Sequence, residues 1–363
     1  MQANKKNTTL PLFFTELDSF IQSLPSQNSK KSIKLQHKDY FENPHLNSYL
    51  THYDLQLVDK FFSQSYCIWT TNISLSHHSL NEPANYTIVQ QHWQTIETKK
   101  GTIVIVHGYL DHTGLYGNAI RWALAQGYDV LSFDLPGHGL SSGEPAAIAH
   151  FDLYSTVLNH VINEHQSILQ TPLIALGQST GCAVICNALL KTEPQTNTLF
   201  LPEKSADKNI ANARLFSQVI LLAPLVRSHH WRWLRYVYFL LWPSISSIQR
   251  KFVRSSHNEK FNQFIKHSDP LQASRISLLW LGAMEQWYQT IRYSSQTCDT
   301  PLTIIQGTDD TTVDWRYNIP ALSRIFTHRH THYIQNAQHH LINESPEYWR
   351  AVERHLTQQI NKS

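Results

Sequence analysis

The sequence contains few cysteines, and their spacing matches neither a disulfide framework nor a metal site. Four occur in 363 residues, namely Cys67, Cys182, Cys186 and Cys298, and no two form a CxxC pair. Small secreted domains use dense cysteine frameworks, and structural zinc sites use closely spaced pairs. We therefore expect free thiols in a reducing compartment, and neither a metal nor another cofactor.

Long hydrophobic runs are also missing. No stretch has the roughly 18 uninterrupted apolar residues of a membrane-spanning helix. The apolar run LPLFF near the N-terminus is followed at once by Glu16 and Asp18, so it is too short for a signal peptide. We therefore expect a cytoplasmic protein whose contact with the membrane, if it has one, is peripheral and on the inner face.

The chain has little net charge, +3 from 30 Lys and Arg and 27 Asp and Glu. Such a balance gives no general attraction for nucleic acid, and nothing in it requires an obligate protein partner. The positive charge is nevertheless concentrated in one segment. Between Leu225 and His267 there are eight Lys and Arg but a single acid, Glu259. This segment is also rich in aromatic residues, so it forms a distinct module.

The order of predicted strands and helices indicates an α/β fold. The continuous run 102–106 is typical of a strand buried on both faces of a parallel sheet. Alternation implies a mostly parallel sheet with helices on both faces. Further strands are predicted at 67–75, 86–96, 128–135, 172–177, 218–226, 301–307 and 332–337. Helices are predicted at 46–62, before Gly127, from a capping Asp152, at 180–190 and from Ser345-Pro346 onward.

This pattern divides the chain into three parts. Residues 1–60 form an N-terminal extension of uncertain structure. Residues 61–226 and 300–363 form the α/β core. Residues 227–299 interrupt the alternation without a clear buried strand, so we expect an insertion there.

The segment LGQSTG places Ser179 between Gly177 and Gly181, after a predicted strand and before a predicted helix. A G-x-S-x-G match alone is weak evidence. A strand, a sharp turn and a helix together are what a nucleophile elbow requires, and glycines allow the close backbone contacts of such a turn. We therefore predict that Ser179 is a nucleophile and not the serine of an ordinary turn.

A nucleophilic serine needs a histidine base and an orienting acid, which in this type of fold follow in the order Ser, acid, His. GTDDTTVD follows the strand at 301–307, and AQHHLINE includes the end of the strand at 332–337. Spacing does not choose between Asp309 and Asp310, or between His339 and His340.

An oxyanion also needs backbone N–H donors near the nucleophile. We predict these donors to be Thr180, directly after the serine, and Tyr109, in the loop after strand 102–106.

These motifs resemble those of the α/β-hydrolase superfamily, in the branch of monoglyceride lipases and bacterial lysophospholipases. The matching stretches are HGYLDHTGLY, FDLPGHGLSSG, GQSTG, APLV, GTDDTTVD and AQHHLINE, in family order over roughly residues 70–360. The resemblance implies Asp310, at the fourth position of G-x-x-D, and His339, in a stretch similar to A-x-H-x-L-x-x-E. It also implies that the insertion is a mainly helical cap over the active site. It does not explain the first 60 residues.

We therefore hypothesise a serine hydrolase of lipid carboxylic esters that acts through an acyl-enzyme. In the insertion, Trp231 and Trp233 alternate with Arg232 and Arg235. Aromatic and basic side chains favour the membrane–water boundary and anionic head groups, so we predict that these four contact substrate or membrane. The alternative is that the aromatic residues cover the active site and pack on the core. A lysophospholipid is the first choice of substrate, and a monoacylglycerol or a general carboxylic ester is the alternative.

Two hypotheses from other classes remain. A non-catalytic lipid-binding protein can use a hydrolase scaffold, because fold does not fix function. A metal protein is suggested by the alternating His328, His330 and His332, which share a face in a strand. Carboxylate partners are not evident there, so a solvent-facing histidine edge is the favoured interpretation.

Overall fold

The computed structural model describes residues 10–26, 43–57, 62–78, 80–191, 214–242 and 244–361. Its centre is an eight-stranded sheet with the spatial order β1-β2-β4-β3-β5-β6-β9-β10. These strands are β1 (Ser63–Leu75), β2 (Ala84–Thr95), β3 (Gly101–Val106), β4 (Tyr128–Phe133), β5 (Leu173–Gln178), β6 (Gln218–Leu222), β9 (Leu302–Gly307) and β10 (Arg329–Ile334). Strands β3 to β6, β9 and β10 are parallel, and β2 pairs antiparallel with both β1 and β4. The expected α/β class is confirmed.

Helices cover both faces of the sheet. They are α4 (Gly117–Ala125), α5 (Asp152–Glu164), α6 (Thr180–Lys191), α10 (Trp315–Ile325) and α11 (Pro346–Ile360). Strand β3 shows why both faces are covered, since all six of its residues are buried. Val104 and Val106 belong to one hydrophobic core, whereas Ile103 and Ile105 belong to the other. Successive side chains of a strand point to opposite faces, so an uninterrupted apolar run requires a helical layer on each side.

An insertion of three helices and two short strands lies between β6 and β9. It contains α7 (Trp231–Leu241), β7 (Ser247–Gln249), α8 (Glu259–His267), β8 (Arg275–Ser277) and α9 (Leu278–Tyr293). Strands β7 and β8 pair only with each other, antiparallel, within the part of the chain that the structure describes. No helix of the described ranges is long and apolar enough to cross a bilayer.

Parts of the N-terminal region join the same fold. Short helices α1 (Leu12–Thr15), α2 (Leu17–Ser23) and α3 (Pro44–His52) precede the sheet. Phe13, Phe20 and Tyr49 are fully buried, and they belong to the core beneath α4 and α11. These residues therefore contribute a hydrophobic layer to the fold.

Several sequence predictions differ from the structure in local detail. The strand expected at 332–337 runs from Arg329 to Ile334, and the strand expected at 128–135 ends at Phe133. The helix expected at 46–62 runs from Pro44 to His52, and residues 58–61 lie outside the described ranges. The strand expected at 218–226 stops at Leu222, because Ala223 adopts a left-handed φ of 48° that turns the chain out of the sheet. Asp152 does not cap α5 but is its first residue, where its charge is still favourable to the helix dipole.

Helix α6 packs so closely on β3 that only glycine fits at position 181. A Cβ there would overlap the backbone oxygen of Val106 and lie 2.7 Å from that of His107. Both neighbours are backbone atoms, so neither can move without shifting the sheet or the loop that follows it. The helix and the strand therefore fix each other's position.

We predict that Gly181→Ala lowers the free energy of unfolding by about 1–3 kcal/mol or more, because the added methyl group overpacks two backbone segments. Urea denaturation measures the change. Gly117→Ala in the first turn of α4 is the matched control, since its nearest neighbour would be the flexible Arg121 guanidinium at 3.3 Å. Unchanged stability of Gly181→Ala would contradict the close approach.

Candidate active site

Ser179 occupies the turn between β5 and α6 in a strained backbone conformation. Its φ is 53°, in the left-handed region that residues other than glycine rarely adopt. The Ser179 N–H donates to the Leu222 carbonyl at 2.9 Å, and the Ser179 carbonyl accepts from the Leu225 N–H at 3.2 Å. Hydrogen bonds on both sides hold the strained turn, which is typical of a functional position.

Two glycines allow other backbone segments to reach this turn. A Cβ on Gly177 would lie 2.8 Å from both the Cys182 nitrogen and the Gly181 carbonyl carbon. A Cβ on Gly108, in the loop after β3, would lie 3.4 Å from the Cβ of Ser179. The loop predicted to supply an oxyanion donor therefore lies against the serine.

Asp310 and His339 are joined by a buried hydrogen bond at the same edge of the sheet. The distance from His339 Nδ1 to Asp310 Oδ2 is 2.8 Å. Oδ1 accepts from the N–H groups of Thr312 at 2.8 Å and Val313 at 3.1 Å. Gln306 Nε2 also donates to Oδ2, at 3.0 Å. Asp310 is thus fixed from three directions.

The other member of each predicted pair lies elsewhere. Asp309 is exposed, and its N–H donates to the Ala337 carbonyl at 3.0 Å. His340 has Nε2 3.2 Å from Asp111 Oδ2, and its N–H donates to the Ser255 carbonyl at 2.7 Å. The structure therefore brings Asp310 and His339 together, and it does not bring together Asp309 and His340.

Gly307 and Gln178 help to bring the histidine loop to the site, and sequence reasoning assigned neither of them this role. A Cβ on Gly307 would overlap the Ala337 carbonyl oxygen and lie 2.6 Å from that of Gln338, so the histidine loop approaches the end of β9 closely. Gln178 Oε1 accepts from the Ile342 N–H at 3.3 Å, which ties the same loop to the residue before Ser179. The glycine of GTDD was a visible signal for the first contact.

Burial and charge act in opposite directions on the acid and the base. Burial alone would raise the pKa of Asp310, but His339 and the donated hydrogen bonds outweigh it and hold the pKa below its usual range. Burial alone would lower the pKa of His339, but the Asp310 carboxylate outweighs it and raises the pKa above its usual value. In the neutral ring Nδ1 donates to Asp310, so Nε2 carries the lone pair that can accept a proton.

The predicted oxyanion donors lie in the two turns beside Ser179. Thr180 is the first residue of α6, so its N–H has no acceptor within the helix. Tyr109 lies in a turn in which the Asp111 N–H donates to the Gly108 carbonyl at 3.2 Å. The Tyr116 hydroxyl, which sequence reasoning did not single out, accepts from the Gly108 N–H at 2.8 Å and donates to Asp111 Oδ2 at 3.0 Å. Tyr116 therefore links Gly108 and Asp111, on either side of Tyr109, and stabilises this loop.

The four predicted contacts of the insertion have different environments. Trp231 is only 4% exposed and its ring packs 5.8 Å from that of Tyr288, so it is not on a surface that a membrane could meet. Arg235 pairs with Glu285 at 2.6 Å. Arg232 and Trp233 are exposed, Trp233 at 73%. Residues two apart on a helix face different directions, which separates Trp231 from Trp233.

Of the histidines considered for metal binding, His330 and His332 lie in the edge strand β10 and His328 lies just before it. His328 and His330 are exposed, whereas His332 stacks on His355 at 4.4 Å. A different group converges elsewhere in the described ranges, where His77, His150 and Asp152 have ligand atoms within 4.8 Å of one another. The Lys191 ammonium already lies 2.9 Å from Asp152 Oδ2, so this carboxylate is paired with a cation.

Comparison with known proteins identifies the family. Residues 97–346 match the family model described as Serine aminopeptidase, S33, which covers more than half of the chain. The chain belongs to this family of hydrolases. The expected resemblance to α/β-hydrolases of the monoglyceride lipase branch is confirmed.

Named relatives agree with this assignment. A monoglyceride lipase homolog of Monkeypox virus is 24% identical over 277 residues, 75% of this chain and 93% of that protein. Human monoglyceride lipase is 30% identical over 108 residues, 30% of this chain and 35% of that protein. A soluble variant of monoglyceride lipase from Saccharomyces cerevisiae, solved with a substrate analog, aligns with a TM-score of 0.63. That alignment covers 80% of this chain and 95% of the yeast chain at 16% identity, and it shows a shared fold.

The raised pKa of His339 predicts the pH dependence of this hydrolase. A general base must be neutral, and a raised pKa means that the neutral form predominates only at higher pH. The acid limb of kcat/KM should therefore have its midpoint above the usual histidine value of about 6.5. A pH profile with a water-soluble ester measures it, and a midpoint well below that value would contradict the pairing.

Exchange of each aspartate for asparagine separates the two acids. Asp310→Asn should lower kcat by about 10⁴-fold, as removal of a triad acid does, and should move the acid limb to lower pH because burial then dominates. Asp309→Asn is the matched control and should stay near wild type. Equal losses in both variants would contradict the assignment of Asp310.

Proposed function

We propose that this hydrolase cleaves carboxylic esters of single-chain amphiphilic lipids, with Ser179 as nucleophile, His339 as general base and Asp310 as the orienting acid. The observation that carries the proposal is the buried 2.8 Å hydrogen bond between His339 and Asp310, at the sheet edge where Ser179 occupies a strained turn. A serine hydroxyl is a weak nucleophile until an oriented base takes its proton. The oriented imidazole of His339 supports its proposed role as that base.

The mechanism follows from these positions. Ser179 Oγ attacks the ester carbonyl while His339 Nε2 takes the hydroxyl proton, and Asp310 stabilises the resulting imidazolium. The N–H groups of Tyr109 and Thr180 bind the negative oxygen of the tetrahedral intermediate. His339 then gives its proton to the departing alcohol. A water molecule, deprotonated by His339, hydrolyses the acyl-enzyme and frees Ser179.

The insertion, residues 227–299, acts as a cap over this site. Trp280 in α9 stacks on Tyr109, with ring centres 3.5 Å apart and planes at 14°. Trp287, also in α9, donates its indole N–H to the Leu225 carbonyl at 2.9 Å. Helix α9 is therefore fixed against the loop after β3 and the loop after β6. Both loops border Ser179, so the cap limits the shape of the acyl and alcohol groups.

A monoacylglycerol is the favoured substrate, because the named relatives that match the chain are monoglyceride lipases. A lysophospholipid is the second candidate. The basic segment 225–267 favours it less than its charge suggests, since Arg227, Arg235 and Arg254 each pair with a carboxylate. Five other Lys and Arg of this segment remain, namely Arg232, Arg250, Lys251, Lys260 and Lys266. Arg250 interacts electrostatically with Asp111 and Tyr109, which lie in the loop beside Ser179, so it is our candidate for a contact with a phosphate.

Hydrolysis of a lipid panel tests the reaction and the substrate together. Wild-type protein should release fatty acid from monoacylglycerol faster than from lysophosphatidylcholine, and Ser179→Ala should lose about 10⁴-fold or more of either rate. Arg250→Gln should reduce the activity on the lysophospholipid more than the activity on monoacylglycerol. Retention of most activity by Ser179→Ala would refute the mechanism, and a faster lysophospholipid rate would reverse the order of substrates.

Helix α7 carries an exposed apolar face suited to a lipid surface. Its exposed members are Trp233 at 73%, Tyr236 at 70%, Phe239 at 60% and Leu240 at 81%. On the other side of the helix, Leu234, Tyr238 and Leu241 pack against the core. Contiguous exposed apolar side chains on a helix mark an interaction surface, and aromatic residues favour the membrane boundary. Through this face the cap would take amphiphiles from a bilayer.

We predict that the double variant Trp233→Ala and Leu240→Ala weakens binding to liposomes of phosphatidylglycerol and phosphatidylcholine by about tenfold or more, because both side chains lose their burial in lipid. Co-sedimentation measures binding. Ile96→Ala is the control, since this residue is 51% exposed and lies outside the insertion. Equal binding of the double variant and the wild type would exclude α7 as the membrane contact.

A further inference from the structure

Asp269 connects three parts of the chain that are distant in sequence. It follows α8 in the insertion, and its carboxylate is completely buried. The Tyr53 hydroxyl donates to Oδ1 at 2.7 Å, and His112 Nε2 lies 3.1 Å from Oδ2. Gln272 Nε2 donates to Oδ2 at 2.9 Å. The N-terminal region, the loop after β3 and the insertion therefore meet at one carboxylate.

This junction also holds the backbone beside the predicted oxyanion donor. The same Gln272 amide donates to the Leu110 carbonyl at 2.9 Å, directly after Tyr109. Leu110 has a φ of 66°, so the turn needs external support. His112 Nδ1 accepts from the Gly114 N–H at 3.2 Å, which leaves the Nε2 proton for Asp269. Asp269 thus contacts the turn after Tyr109 in two ways, directly through His112 and indirectly through Gln272, which binds Leu110.

Asp269 depends on these donors to remain ionised. Burial alone would raise its pKa, but His112 and the hydrogen bonds from Tyr53 and Gln272 outweigh burial and keep the pKa below the usual range. A buried carboxylate that loses a donor carries the penalty of an unsatisfied charge, so its surroundings shift to find another partner. Here the surroundings that can shift are the cap and the loop of Tyr109.

We propose that Tyr53 is a positioning residue, which through Asp269 locks the N-terminal region, the cap and the Tyr109 loop into one rigid unit. The catalytic part of this inference rests on the proposed function. Tyr53 is well placed for the task, because its ring is part of the aromatic cluster of Phe13 and Tyr49 and packs edge-on against His112 at 4.9 Å. The segment before the sheet therefore reaches His112 and Asp269.

Tyr53→Phe tests the proposal, with Tyr49→Phe as the matched control. Both tyrosines are buried in the same cluster, but the Tyr49 hydroxyl accepts from Gln91 Nε2 in β2 at 3.0 Å and makes no hydrogen bond to the insertion in the described ranges. Each substitution keeps the ring and removes one hydroxyl. Differences between the variants therefore report the bond to Asp269 and not the loss of packing.

Hydrogen exchange supplies a readout that needs no catalysis. Amides of residues 108–113 and 264–272 should exchange about tenfold faster in Tyr53→Phe than in the wild type, and at wild-type rates in Tyr49→Phe. Equal exchange of these segments in both variants would overturn the proposal. A wild-type protein that fails to hydrolyse esters would defeat only the proposed function, because this comparison stands without turnover.

Kinetics then test the link to the oxyanion. With active sites counted by titration, Tyr53→Phe should lower kcat about tenfold with KM changed less than about twofold, a smaller loss than removal of an oxyanion donor. Affinity for an alkyl boronate, which mimics the tetrahedral intermediate, should fall in parallel with kcat/KM. Wild-type kcat and boronate affinity in folded Tyr53→Phe would show that Tyr53 is structural only.

Discussion

The hydrogen bond between Asp310 and His339 is the interaction on which the site depends. It needs a buried carboxylate, which burial alone would tend to protonate, and the donors Gln306, Thr312 and Val313 counter that tendency. It also needs the histidine loop to reach the end of β9, which the absence of a side chain at Gly307 allows. Parallel strands bring their carboxyl ends to one edge, so the same sheet places Ser179 on this rim. The positions of Ser179, Asp310 and His339 are thus a consequence of strand order and of a few close backbone contacts.

The insertion and the N-terminal region both contact the loop after β3, which lies beside Ser179. Trp280 stacks on the side chain of Tyr109, while the backbone of Tyr109 belongs to the loop beside Ser179. Asp269 joins the insertion to the N-terminal region through the hydrogen bond from Tyr53. In our proposal, residues outside the family match of 97–346 thereby help to support the site. The exposed face of α7 lies on the opposite side of the helix from Leu234, Tyr238 and Leu241, which pack against the core. In the proposed function, a single insertion both covers the site and presents an apolar surface.

The sequence was informative where a local pattern has a local cause. The run 102–106 predicted a strand buried on both faces, and the glycines around Ser179 predicted a close backbone turn. The choice of Asp310 came from family resemblance, and its physical reason, the N–H donors of Thr312 and Val313, appears only in the folded loop. The prediction of one shared contact for Trp231 and Trp233 disregards helical periodicity, which separates the two residues, and the alternative of packing on the core fits Trp231. The junction of Tyr53, His112 and Asp269 had no local signal, because its members are 59 to 216 positions apart.

The most direct measurement is the site of covalent labelling by a fluorophosphonate, identified by mass spectrometry of the intact protein and its peptides. Such reagents phosphonylate a serine hydroxyl that an adjacent base activates. We predict a single label on Ser179 in the native protein, and labelling slowed by orders of magnitude in His339→Ala but not in His340→Ala. A label on another residue, or a native Ser179 that reacts no faster than in His339→Ala, would contradict the claim that His339 activates this serine.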